Sequence, residues 1–260
     1  MRKTLSAILV AACVACLVAC TDPTTTDATS NSDAGVYKPP PFAAYSARWS
    51  APPNIDLTSQ PAVSVRAFFE SAYLASSLAP RYGYPGFAEQ VSPPTQFGVF
   101  NIAGLKPADI SLLTGTQYMH IARLDFDRVD AHWNAVVCTW SNGMTQQTDD
   151  DRQKIGGPWR SNKVTPATIS LRPPEGVADA TTRPHSAGRG PSRYPVTDVF
   201  GDWRTVAATY YEGAEMATCD ALTDSVLPPE LRHIDAAHEY RTTPLPTLPP
   251  YPGWSIANKA

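Results

Sequence analysis

From residue 59 to residue 80 the chain reads SQPAVSVRAFFESAYLASSLAP, with Val65, Phe68, Phe69, Ala72 and Tyr73 recurring at helical spacing. Thr58 or Ser59 is placed to cap the free amides, Pro61 suits a first turn and Pro80 stops the run. The pattern predicts a long helix with an aromatic core stripe. A different period follows. Residues 117–126 alternate, with Tyr118, His120, Ala122, Leu124 and Phe126 on one face, and residues 131–141 set Trp133, Ala135 and Val137 against Val136, Cys138 and Trp140. Asp127, Arg128, Val129 and Asp130 turn the chain between these two strands. The hairpin is apolar on both faces near 136–138, so it reads as the centre of an antiparallel sheet covered on each side. The expected fold is α+β: a long N-terminal helix packed on a curved, cone-like antiparallel sheet.

Weaker signals fill in the remainder. Residues 81–87 read as a turn and 87–91 as a short helical turn; 96–102 suggest a strand and 106–113 a proline-initiated helical turn. Residues 164–171 read as an edge strand because Pro166 cannot donate to a ladder. Residues 172–196, rich in Pro, Gly, Ser and Arg, read as a mobile loop of positive local charge. Residues 204–211 favour a strand, and 212–222 a short helix carrying Cys219. From 227 to 260 the chain is a proline-rich tail, laid over the domain and anchored by Tyr251 and Trp254.

Upstream of the domain the pattern loses its apolar positions. Residues 21–35 hold no aromatic and no large aliphatic residue, so they lack the surface to bury a core. Pro39, Pro40, Pro41, Pro52 and Pro53 extend this tether in polyproline geometry. Further upstream, Arg2 and Lys3 precede an apolar run, 5–17, that is too short and too alanine-rich to span a membrane. It ends in Leu17-Val18-Ala19-Cys20, and the segment resembles a bacterial lipoprotein signal. The resemblance implies cleavage after Ala19 and a diacylglycerol on Cys20; a plain secretory signal is the competing reading. The organisation is then a signal peptide over 1–19, a tether over 20–53 and one α+β domain over 54–260. More than one acyl chain makes anchoring stable, which places the domain on the outer face of the membrane.

Charge removes some partners. Cleavage would take Arg2 and Lys3 away, so Lys+Arg falls from 21 to 19 against 24 Asp+Glu and the formal charge moves from -3 to -5. Nucleic acid, which demands a basic face, is excluded as a partner. The acyl chains, not charge, would hold the membrane. Once Cys20 is lipidated, Cys138 and Cys219 remain, and in an oxidising compartment the expectation is a disulfide. A catalytic thiol needs a base and a polar setting, whereas Cys138 sits in an apolar strand pattern.

Signatures of common chemistries are missing. The chain has no GxSxG elbow, no HExxH and no phosphate-cradling glycine loop. His233 and His238 lie five residues apart and fall on different helix faces, which reads as surface histidines rather than a zinc pair. Asp125, Asp127 and Asp130, with Asp149, Asp150 and Asp151, lack the glycine and distal glutamate of a calcium loop and read as solvated turn acids. No metal and no cofactor is expected. His120 is the one catalytic candidate: on an apolar strand face with Tyr118, and with Trp140 beside it, it can line a pocket and exchange protons near neutral pH. The bland reading is a core histidine satisfied by a backbone carbonyl.

Several motifs form a familiar set: Val65-Arg66-Ala67-Phe68-Phe69-Glu70-Ser71, Tyr84-Pro85-Gly86-Phe87, Val137-Cys138-Thr139, Val199-Phe200-Gly201-Asp202-Trp203 and Tyr251-Pro252-Gly253-Trp254. From about residue 45 onward the chain resembles secreted and lipid-anchored envelope proteins of mycobacteria and their actinobacterial relatives. These are packing and turn motifs and assign no activity. A long helix leading into a curved antiparallel sheet is also similar to the cone-shaped fold of the nuclear transport factor superfamily, from which the proline-rich tail departs. The expected function is a non-catalytic, lipid-anchored envelope protein binding a small apolar ligand or an envelope partner. Two alternatives are an enzyme of that fold using His120 as acid or base, and a structural or adhesive protein with the aromatic tail as its contact surface.

Overall fold

In the computed structural model, residues 37–76, 79–91, 110–148, 152–156, 164–177, 183–210, 214–234 and 239–256 are described. They all fall in one compact unit, residues 31–260. The chain enters through β1 (Ser46–Ser50) and a two-residue β2 (Ser59–Gln60) into helix α1 (Ala62–Ala75) and the short α2 (Phe87–Gln90). The hairpin read from alternation is present as β3 (Leu113–Asp127) and β4 (His132–Trp140), followed by β5 (Met144–Gln147), β6 (Gln153–Ile155) and β7 (Thr165–Arg172). After β8 (Arg183–Pro184) come β9 (Arg204–Tyr210), helix α3 (Ala214–Val226) and β10 (Tyr240–Arg241). The strand suggested over 96–102 and the acids Asp149, Asp150 and Asp151 lie outside the described residues, as does Cys20.

The fold class is α+β, built on a strongly curled antiparallel half-barrel with few helices. Among the described residues the strand order is β10-β6-β5-β3-β4-β7-β9, with β1 added in parallel beside β3. One long strand serves two partners. Its start, Leu113 to Gly115, pairs with β5, and from Tyr118 onward it pairs with β4. Where the partner changes, Gly115 has φ +90°, and a Cβ there would strike the carbonyl oxygen of Gly143. Only glycine allows both the left-handed backbone and so close an approach. At the far end of the hairpin, Asp127 accepts the Val129 N–H at 2.8 Å, so this acid closes the turn.

Residues 106–113 do not form a helical turn throughout, because Leu113 already opens β3. Nor is β7 an edge: it lies between β4 and β9. Its pairing with β9 begins at Ala167, so the missing N–H of Pro166 interrupts no bond in that ladder.

Helix α1 occupies 14 residues, shorter than the run 59–80, and all but Tyr73 are buried. A helix apolar almost all round needs cover on every side. Sheet residues Met119, Ile121 and Val137 share its core with Phe42, Trp49, Phe87, Phe200 and Trp254 from the flanking segments. The expected cap is absent. Thr58 and Ser59 turn their hydroxyls to the Asp56 carboxylate, and the amide of Gln60 accepts the Ser64 N–H at 3.2 Å and its hydroxyl at 2.7 Å instead. The segment 183–196, expected to be mobile, is tied down by β8 pairing with β2 and by a bridge between Ser192 and Trp254.

The other sheet face carries a second core. Tyr118, Cys138 and Trp140 pack there against Cys219, Leu227 and Leu231. Cys138 on β4 and Cys219 on α3 are joined in a disulfide with Cα atoms 5.5 Å apart. α3 runs to Val226, four residues past the limit read from the sequence, and the bridge pins it to the sheet.

Candidate functional site

Two charges are fully buried in α1, one helical turn apart. Arg66 donates to the carbonyls of Leu57 at 2.9 Å, Gly188 at 2.8 Å and Pro252, and its guanidinium lies over the Trp254 ring, 4.3 Å from the centroid. Burial pushes its pKa down to about 10, against the pull of Glu70. Glu70 accepts the indole N–H of Trp49 at 2.7 Å, the hydroxyl of Tyr84 at 2.6 Å and the indole N–H of Trp254 at 3.0 Å. Burial raises its pKa, while Arg66 and these donors oppose the shift. Around the carboxylate, Tyr84 stacks edge-on against Tyr37, Tyr194 and Trp254. Every contact runs to backbone or core aromatics of a different segment, so the pair ties β1, the 188 loop and the tail to one helix. That is a structural arrangement. Sequence reasoning passed over it, although Arg66 and Glu70 at i and i+4 of a helix otherwise free of charge was a visible signal.

The predicted residues Tyr118, His120 and Trp140 do share one sheet face, Tyr118 opposite Trp140 and His120 opposite Cys138. Trp140 donates its N–H to Thr223 of α3 at 3.1 Å and is 1% exposed. Burial raises the pKa of Tyr118 and lowers that of His120. His120 Nδ1 lies 2.7 Å from the Ser50 hydroxyl on β1, its register partner. His120 is therefore satisfied by a side chain rather than by a carbonyl. Of the two histidines dismissed as zinc ligands, His233 is exposed and His238 lies outside the described residues. Among the described residues no group of three His, Cys, Asp or Glu side chains could hold a metal ion.

A cavity of about 190 Å³ lies on the opposite face, between the C-terminal half of α1 and the sheet. Phe69, Ala72, Tyr73 and Met119 supply apolar wall. Ser76, Thr139, Ser141 and Thr165 supply hydroxyls, and none of the described lining residues is charged. Gln117 also lines it. This side chain is 1% exposed, and neither its amide nitrogen nor its amide oxygen has a hydrogen-bond partner. Buried amides are almost always paired. Tyr118, His120 and Trp140 belong to the other phase of the hairpin; the signal for Gln117 lies in its own phase, Gln117, Met119, Ile121, as a polar residue at a core position.

A broader, more open depression of about 380 Å³ is bordered by Ser50, Asp56, Arg189 and Tyr251. No protein-family model, no curated protein and no solved structure matches the chain.

Proposed function

We propose that the protein is a lipid-anchored envelope component, held at Cys20, whose domain takes up a small ligand between α1 and the sheet without transforming it. The observation that carries this reading is the α1 cavity with a buried, unpaired amide in its wall. The remaining picture belongs to the same proposal: a signal peptide over 1–19, a tether that ends before Phe42 rather than at 53, since Phe42, Tyr45 and Trp49 pack in the core and 46–50 form β1, a cone-like domain closed by its leading helix, and kinship with actinobacterial envelope proteins. The Cys138–Cys219 disulfide supports an oxidising compartment. Against an adhesive tail stands Trp254, which is 1% exposed and bonded inside the main core.

Native mass spectrometry of the chain purified from its own envelope tests the binding reading. A reproducible added mass is the expected result, and a bare mass overturns it. Loss of acyl labelling in a Cys20→Ala variant tests the anchor. A second reading, hydrolysis by Ser50 with His120 as base, rests on their 2.7 Å contact. A serine-reactive phosphonate that labels Ser50 in the parent but not in a His120→Gln variant would favour it.

A further inference from the structure

The chain contains an internal comparison for Gln117. Two other glutamines among the described residues are also buried, Gln60 and Gln90. Gln60 donates to the Val199 carbonyl at 2.9 Å and accepts from Ser64, while Gln90 donates to the Trp203 carbonyl at 3.0 Å and accepts the Thr205 N–H at 2.9 Å. Both have partners on nitrogen and on oxygen: Gln90 uses the two to hold the 203–205 segment, while Gln60 reaches Val199 with its nitrogen and caps α1 with its oxygen. Gln117 uses neither, and it lines the α1 cavity. A buried amide left unpaired on both atoms opposes folding. Such a cost persists where something outside the chain meets it.

What meets it is constrained by chemistry. A primary amide presents an acceptor and a donor side by side in one plane. Its complement is a group that does the same, a carboxamide or a lactam. A carboxylate would satisfy only the donor side and would bring an uncompensated charge into a space whose described lining carries none. Size limits the rest of the molecule. A dry cavity of roughly 150 Å³ accepts benzene, so about 190 Å³ leaves room for one ring or short chain and one planar polar group. Phe69 and Tyr73 offer aromatic surface and Met119 an adaptable thioether to that apolar part.

We propose that the α1 cavity is a binding site for a small neutral ligand, an apolar ring or short chain bearing a carboxamide or lactam, whose amide group is read by paired hydrogen bonds to Gln117. This rests on the cavity being a ligand site at all, and the test separates the two claims. The full chain is titrated with benzamide and with toluene, and binding is followed by ligand-detected NMR and by thermal melting. The expected result is that benzamide binds at least tenfold more tightly than toluene. In Gln117→Leu, benzamide should weaken at least tenfold and toluene should not, and the unliganded variant should melt at a higher temperature because it lacks the unpaired amide. Gln117→Met, closer in shape, serves if the leucine variant fails to fold. Toluene binding with no preference for benzamide, or a preference that survives in both variants, overturns recognition by Gln117 and leaves the cavity a ligand site. Binding of neither probe overturns both claims, with the cavity then holding ordered water.

Discussion

Glu70 and Trp254 meet across 184 positions of the chain, the indole N–H donating to the Glu70 carboxylate at 3.0 Å. Since Trp49 and Tyr84 donate to the same carboxylate and Arg66 stacks on the same indole, removing the carboxylate disturbs four segments at once. Glu70→Ala should lose roughly 3–5 kcal/mol, the usual result of stranding a buried opposite charge. Glu70→Gln keeps the volume but points an amide at three donors, and should lose about 1–3 kcal/mol. Urea unfolding midpoints check both values. A glutamine variant as stable as the parent would show that the charge contributes nothing.

The disulfide closes a separation of 81 residues. By chain entropy, the paired substitution Cys138→Ala with Cys219→Ala should cost roughly 4–5 kcal/mol. Reduction of the parent should lower its melting temperature to that of the double variant. Melting unaffected by reductant would rule out the bridge as a stabilising element.

At Gly115, an added methyl group meets the Gly143 carbonyl while the backbone sits at φ +90°. Gly115→Ala should cost roughly 1–3 kcal/mol. Gly176 has φ +76° but open space around it, so Gly176→Ala should cost less. Comparing the two melting temperatures separates collision from backbone strain.

His120 and His185 have pKa values held below the ordinary 6.5 by burial, which disfavours the cation; at His185 the nearby Asp198 opposes the shift. Between 6.5 and the lowered values the unfolded chain binds more protons than the folded one, so stability falls as pH falls through that window and levels off below it. Glu70, whose pKa is raised, acts in the opposite direction where it titrates. The informative quantity is therefore the difference between parent and His120→Gln. The variant should show a shallower loss of stability on acidification through this range. Parallel curves would remove His120 from the pH dependence.

Local pattern alone was enough for α1, for the β3–β4 hairpin and for the helical character of 214–222, because side chains three, four or two positions apart respond to the geometry of their own element. Cys138 and Cys219 are the two cysteines left once Cys13, Cys16 and Cys20 are assigned to a signal segment, and they are the pair that the disulfide joins. Other features depended on neighbours distant in sequence. Pro166 reads as an edge signal until β9 is laid beside β7 from Ala167 onward. The glycine- and proline-rich 183–196 reads as mobile until Trp254 and Arg66 are found bound to it. Gln117 is a polar residue at an apolar phase in the sequence, and only the packing of α1 over β3 leaves its amide buried and unmatched beside a cavity. Periodicity reports which face a side chain takes. Whether a buried polar atom finds a partner is decided by the segments that close over it: Arg66 finds Gly253 187 residues away and Ser46 finds Leu248 202 away.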